Sequence, residues 1–202
     1  MLKVDAEFWR KYTKVYDTLN NVISYQELLA DVCNELQIKS GDKILEAGCG
    51  TGNLAIKMKG LGAEVIGLDS CKEALDVYKQ KDKDAKAVLW DLSKTPLPFP
   101  DNYFNKITCV NVLYAIAVEK RESIVKEFYR ILKPEGKVVL VNVEKNGSVC
   151  KIYFHHLNLL FREKGAINMV ANLLKFLPNA LRLLYYNLFI VVDRIFFFVM
   201  NS

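Results

Sequence analysis

Between residues 43 and 54 the chain runs Lys43-Ile44-Leu45-Glu46-Ala47-Gly48-Cys49-Gly50-Thr51-Gly52-Asn53-Leu54. A short apolar strand, a carboxylate, a glycine loop and the start of a helix, in that order, leave few folds open. Glycine lacks a Cβ, so the backbone can turn sharply and approach a ligand closely. A helix beginning just beyond the loop points free N–H groups and a partial positive charge at the same space. The spacing excludes a dinucleotide fingerprint, G-x-G-x-x-G, whose third glycine would stand at Asn53. Glu46 argues the same way: a carboxylate there repels a pyrophosphate and suits a ligand with a cationic amino-acid tail.

The first 144 residues alternate between two periodicities. Helical apolar spacing over 5–19 and 22–37 puts Phe8, Tyr12, Val15, Tyr16 and Leu19 on one face. Ser40-Gly41-Asp42 is a turn. A strand over 43–47 leads into a helix over 53–60, and a strand over 63–68 ends at Asp69. A helix over 71–80 follows, capped by Ser70 with Glu73 in its first turn, then a strand over 86–90. Pro96, Pro98 and Pro100 force an irregular extended stretch. A strand over 105–111, a helix over 119–132, a turn at Lys133-Pro134-Glu135-Gly136 and a buried apolar strand over 137–143 complete the pattern. This alternation predicts an α/β fold: a Rossmann-like, doubly wound, mostly parallel sheet with N-terminal helices. Right-handed crossovers then gather the strand ends, and any ligand, along one edge. Beyond residue 148 only helical segments are visible, over 149–163, 166–177 and 179–200.

The stretch Glu46-Ala47-Gly48-Cys49-Gly50-Thr51-Gly52 resembles the first motif of class I S-adenosylmethionine-dependent methyltransferases. The resemblance runs, motif after motif, over most of residues 8 to 144. Tyr16-Asp17-Thr18-Leu19-Asn20 is similar to the YDxxN found ahead of the core in ubiquinone and menaquinone methyltransferases. Leu97-Pro98-Phe99-Pro100-Asp101-Asn102-Tyr103-Phe104 resembles the family's LPFPDxxFD, with Asn105 in place of the last Asp. The family continues with two more strands, which are not visible here.

The resemblance implies S-adenosylmethionine as cofactor and assigns roles. Gly48, Cys49, Gly50, Thr51 and Gly52 shape the loop, and Glu46 sets negative charge near the cofactor's ammonium. Thr51 adds a hydroxyl contact or merely satisfies the loop. Asp69, 23 residues after Glu46, accepts both ribose hydroxyls, its two oxygens suiting a diol; the other reading is a helix-capping Asp. Ser70 lines the adenine. Asp91 accepts from the exocyclic amine and Leu92 lies near the ring, or Asp91 only starts a turn before Ser93. Asn111 offers its backbone carbonyl to the methionine end, and Tyr16 reaches the cofactor's carboxylate or belongs to an ordinary amphipathic face. No general base stands out. Tyr114, where the family often has His, and His155 are weak catalytic candidates; the first is equally a packing residue, and the second is more often a surface one. A base is optional in any case, because the sulfonium already activates the methyl group.

Composition narrows the partners. Five cysteines form no C-x-x-C pair, which argues against a metal site or disulfide framework and for a reduced, cytoplasmic setting. The charged N-terminus has no apolar signal stretch. Residues 150–202 carry six Lys/Arg against two acids, hence +4 of the total +5. Within 178–200 an apolar run is interrupted by Asp193-Arg194, each costing about 2.5–3.5 kcal/mol at a bilayer centre. This disfavours a membrane span and leaves a packed helical lid or an interfacial helix in peripheral membrane contact. Residues 1–148 form the expected core and 149–202 the lid or interface segment. The acceptor is expected to be a small or lipid-like molecule. No nucleic acid is expected, since there is no Asn-Pro-Pro-aromatic motif and no phosphate-tracking basic stripe. A nicotinamide oxidoreductase and a non-enzymatic, membrane-associated protein with a degraded cofactor fold are the rivals.

Overall fold

A computed structural model of the chain describes residues 6–142, 158, 159, 161, 162, 165, 178, 179 and 181–187. Backbone proximity divides the chain into two compact units, residues 29–144 and residues 1–28 with 145–202. The helices are α1 (Ala6–Tyr16), α2 (Ile23–Leu36), α3 (Asn53–Gly60), α4 (Lys72–Lys81) and α5 (Val118–Ile131). The strands are β1 (Lys43–Ala47), β2 (Glu64–Asp69), β3 (Lys86–Leu89), β4 (Phe104–Val110) and β5 (Leu132–Val141).

All five strands are parallel, in the order β3-β2-β1-β4-β5. Parallel neighbours need a crossover, and α3, α4 and α5 supply those between β1 and β2, β2 and β3, and β4 and β5. The strand order reverses between β1 and β4, which opens a crevice at their carboxyl ends. Side chains alternate across the pleat. Leu45 and Ala47 therefore join Ile107 and Cys109 in a core that α5 covers with Ile124, Phe128 and Ile131. These three are spaced i, i+4, i+7, one stripe of a helix. On the opposite face the register places Gly67 and Thr108 on either side of Glu46. There α3 buries Leu54, Ala55 and Met58, and α4 buries Ala74, Leu75 and Tyr78.

The fold matches the predicted architecture, with three local differences. The helix expected over 5–19 stops at Tyr16, and Asp17–Asn21 forms a 3-10 turn. Asp, Thr and Asn compete for backbone groups and end helices; Asn21 donates to the Thr18 carbonyl at 3.3 Å. The turn at Lys133–Gly136 is absorbed into β5 as an irregularity: Phe104 pairs with Leu132 and Lys106 with Lys137, while Glu135 adopts φ +62°. Ser70 does not cap α4. Cys71 is the N-cap residue, and its N–H goes to the Asp69 carboxylate.

In the other unit, Phe8, Tyr12, Val15 and Leu183 are buried together, ringed by Trp9, Tyr16, Leu19 and Tyr186. The Tyr12 hydroxyl donates to Asn187 Oδ1 at 2.9 Å. Residues 181–187 are helical, inside the helix expected over 179–200. Most of the remaining helical segments expected after 148, and His155 and His156, lie outside the described residues. Among those described, no helix is long and apolar enough to cross a membrane. No metal-binding cluster occurs among them either.

Candidate cofactor site

The site is built on β1. Glu46 ends up buried, 5% exposed, beside the first turn of α3. The N-cap of that helix is Gly52, which has no side chain to satisfy the open N–H groups of a helix start. Glu46 does so from the strand, accepting from the Ala55 N–H. Its Oε2 has no hydrogen-bond partner among the described residues. Burial pushes the carboxyl well above its ordinary value; the Ala55 amide and the Lys81 cation pull it down, and the charge of Asp69 adds to the rise.

The loop is fixed from below. The Gly48 and Cys49 N–H groups donate to the Leu68 carbonyl at 2.7 and 3.0 Å, and Gly52 N–H closes a turn on Cys49 at 2.9 Å. Gly52 has φ +77°, and a Cβ there would stand 2.1 Å from the Tyr78 ring. Gly50 has φ +52° and nothing within 4 Å of where its Cβ would be. One glycine is therefore required by the protein's packing, whereas the other faces open space. Cys49 is buried against Gly67. Burial and the nearby carboxylates of Glu46 and Asp69 push its thiol well up, so it is not a nucleophile at neutral pH. Thr51 is 1% exposed, which seats its side chain within the loop's packing.

Asp69, at the tip of β2, is half-buried. Its Oδ2 accepts from Gly50 N–H and its Oδ1 from Cys71 N–H, both at 2.8 Å. Burial raises its pKa, against the pull of the Cys71, Gly50 and Ser70 amides. A carboxylate oxygen has two acceptor directions, so each keeps capacity for a ligand hydroxyl. Ser70 is exposed beside it. Just past β3, Asp91 accepts from Ser93 N–H at 2.9 Å, the turn that is the alternative to an adenine contact, and Leu92 is buried in the core cluster that includes Leu68 and Leu97. Across the crevice, Asn111 takes φ +55°, a backbone region that Asn tolerates better than most residues. The next side chain, Val112, stands 2.2 Å from the Cβ position of Gly48. Tyr114 lies half-buried in the following 3-10 turn. Glu46, the loop, Asp69, Ser70 and Asn111 thus gather at the carboxyl ends of β1, β2 and β4. Tyr16 belongs to the other unit, where its ring packs edge-on to Tyr12 and Tyr25.

Sequence reasoning missed Tyr78, Val112 and the Ala55 amide. A signal was present for the first: Gly67 sits inside a strand, where glycine often marks a close approach, and a Cβ there would meet the Tyr78 ring at 3.1 Å.

The geometry fits an adenosyl cofactor: an orphaned buried carboxylate oxygen for a cationic tail, open space over Gly50, and a second carboxylate one strand away. A family profile described as a methyltransferase domain matches residues 45–140. Over those residues the chain is similar to class I methyltransferase domains. A demethylmenaquinone methyltransferase of Geobacillus sp. (strain WCH70) is 34% identical over 146 residues, covering 68% of this chain and 62% of the relative. The solved TehB-like SAM-dependent methyltransferase of Corynebacterium glutamicum is 28% identical, with TM-score 0.51 over 65% of this chain and 69% of that one. A Methanococcus maripaludis structure at 19% identity shares the fold, with TM-score 0.61 over 81% of this chain and 76% of that one. The chain spans about three-fifths of the length of the demethylmenaquinone methyltransferases it resembles. S-adenosylmethionine is the cofactor of this type of methyltransferase domain.

Proposed function

We propose that the protein transfers a methyl group from S-adenosylmethionine to a lipophilic, quinone-like acceptor. The observation that carries the reading is the unpartnered Oε2 of Glu46 beside the glycine loop, with Asp69 bridging that loop to β2. When bound, the cofactor supplies a methyl already activated by its sulfonium. Glu46 faces the ammonium, Asp69 the ribose diol, Ser70, Asp91 and Leu92 the adenine, and Asn111 the methionine end. Gly50 lets the backbone stand close, and Gly48, Cys49, Thr51 and Gly52 hold the loop's shape. The chain's part in the chemistry is alignment and exclusion of water. The acceptor class rests on the printed names of several relatives.

The test is calorimetry with S-adenosylhomocysteine, then transfer of labelled methyl to a short-chain demethylmenaquinol. Binding and transfer support the reading. A folded sample that binds no S-adenosylhomocysteine overturns it, and binding without transfer to the quinol overturns the acceptor class alone. Asp69→Ala is expected to weaken binding more than tenfold. It also frees two backbone amides, at a stability cost of about 1–3 kcal/mol.

The helix at 181–187 supports peripheral contact with lipid. Leu181 and Tyr185 are 56% and 52% exposed, and Arg182 is exposed beside them, an apolar and basic combination suited to an interface. Liposome flotation of the full chain against a Leu181→Glu, Tyr185→Glu variant tests this. Equal flotation of the two removes the interface role.

A further inference from the structure

We propose that Arg121 is a positioning residue that fixes Tyr114 at the mouth of the crevice and thereby governs how the methyl acceptor is held. The inference rests on the methyl-transfer reading above and concerns the acceptor side of that site.

The loop leaving β4 is tied down at successive points. Asn111 N–H donates to the Val141 carbonyl at 2.7 Å. Val112 wedges against Gly48, and Leu113 is buried. Tyr114 is then held on both sides of its backbone. Its N–H donates to Asn142 Oδ1 at 3.3 Å, and its carbonyl accepts from Arg121 Nη2 at 3.3 Å. Arg121 Nε also donates to the Ile116 carbonyl at 3.0 Å. One planar guanidinium thus spans two carbonyls of the same turn, a geometry that a lysine ammonium, lacking the fixed fork, reproduces only in part.

The placement of Arg121 is not explained by its own helix. It is the fourth residue of α5, at the end where the helix dipole disfavours a cation by about 0.3–1 kcal/mol. Charged hydrogen bonds to carbonyls contribute more than that, so the loop contacts outweigh the dipole. The loop they hold is otherwise apolar: between residues 112 and 117, Val, Leu, Ala, Ile and Ala surround Tyr114, whose hydroxyl is the only polar side-chain group. This turn follows β4 directly, beside the crevice where Val112 meets Gly48, so its backbone path sets the acceptor side of the site.

The experiment compares the full-length protein with Arg121→Ala and Arg121→Lys. The expected result is a rise of about tenfold in KM for a short-chain demethylmenaquinol in Arg121→Ala. The S-adenosylhomocysteine affinity should stay within twofold of wild type, and Arg121→Lys should fall between the two. Amide exchange should quicken at 112–117 and stay unchanged at 43–54. An unchanged quinol KM, an equal loss of cofactor affinity, or a lysine variant no better than alanine overturns the proposal. Should the wild type not methylate the quinol, the acceptor reading fails separately. Amide exchange then decides the case: unchanged protection at 112–117 in Arg121→Ala rejects the positioning role.

Discussion

Glu46 makes opposite demands on the unliganded and the liganded protein. Folding raises its pKa above the ordinary 4.5, so the folded state binds this proton more tightly than the unfolded chain does. Its contribution is therefore fully present below about pH 4.5 and is lost as pH rises through the folded value. A cationic ligand reverses the preference by favouring the ionised form. Glu46→Gln keeps an oxygen for the Ala55 amide and removes the charge. Its Tm without ligand should exceed that of wild type at pH 8, with the gap closing near pH 4, while S-adenosylhomocysteine affinity falls tenfold or more. Scanning fluorimetry and calorimetry check both, and a variant losing stability at pH 8 would contradict the assignment. The two loop glycines make a second contrast. Gly52→Ala drives a methyl into the Tyr78 ring and should destabilise the fold by well over about 1 kcal/mol. Gly50→Ala meets only backbone strain, so it should fold and yet lose the cofactor. The sequence shows the three glycines but not which of them packs against the protein, because that depends on where Tyr78 of α4 lands.

Among elements, the ends of strands were less legible than the strands themselves. Periodicity places β1, β2, β3 and β4 within a residue or two, since a buried strand needs a continuous apolar run. It cannot show that β5 begins at Leu132, because pairing with Phe104 across an irregularity is a tertiary choice. Nor does it show that Asp69 closes the turn before α4, since Ser70 and Asp69 both read as caps and only the structure gives the Cys71 amide to Asp69. At the amino ends of the strands Lys106 of β4 forms an ion pair with Asp42, both side chains 11% exposed, and donates to the Gln37 carbonyl at 3.0 Å. Burial alone would raise the Asp42 pKa, but the hydrogen bonds from Lys106 and the Lys39 N–H bring it below its ordinary value. Lys106→Met strands that carboxylate and should cost about 3–5 kcal/mol. Breaking the exposed Lys126–Glu122 pair should cost no more than about 0.5 kcal/mol. A depressed pKa stabilises above the unfolded value near 3.8 and the effect is lost as pH falls through the folded one. The Lys106→Met deficit in urea midpoint should therefore shrink in strong acid.

For the molecule as a whole, the parallel doubly wound sheet was legible because alternating strand and helix periods admit few other topologies. The grouping of residues 1–28 with 145–202 was not, since it arises from aromatic contacts such as Phe8 with Tyr186, far apart in sequence. Ligand binding acts on the whole unit of residues 29–144. S-adenosylhomocysteine at a hundred times its Kd should add about 2.7 kcal/mol and raise Tm by roughly 5–10 °C. No shift in a sample shown to be folded would argue against the site. The strand order also bears on synthesis. Because β1 sits between β2 and β4, a nascent chain carries both carboxylates and the entire glycine loop long before Val112 has left the ribosome. The crevice is completed only when α5 and β5 follow, so ribosome-arrested fragments that expose β5 should bind S-adenosylhomocysteine and shorter ones should not.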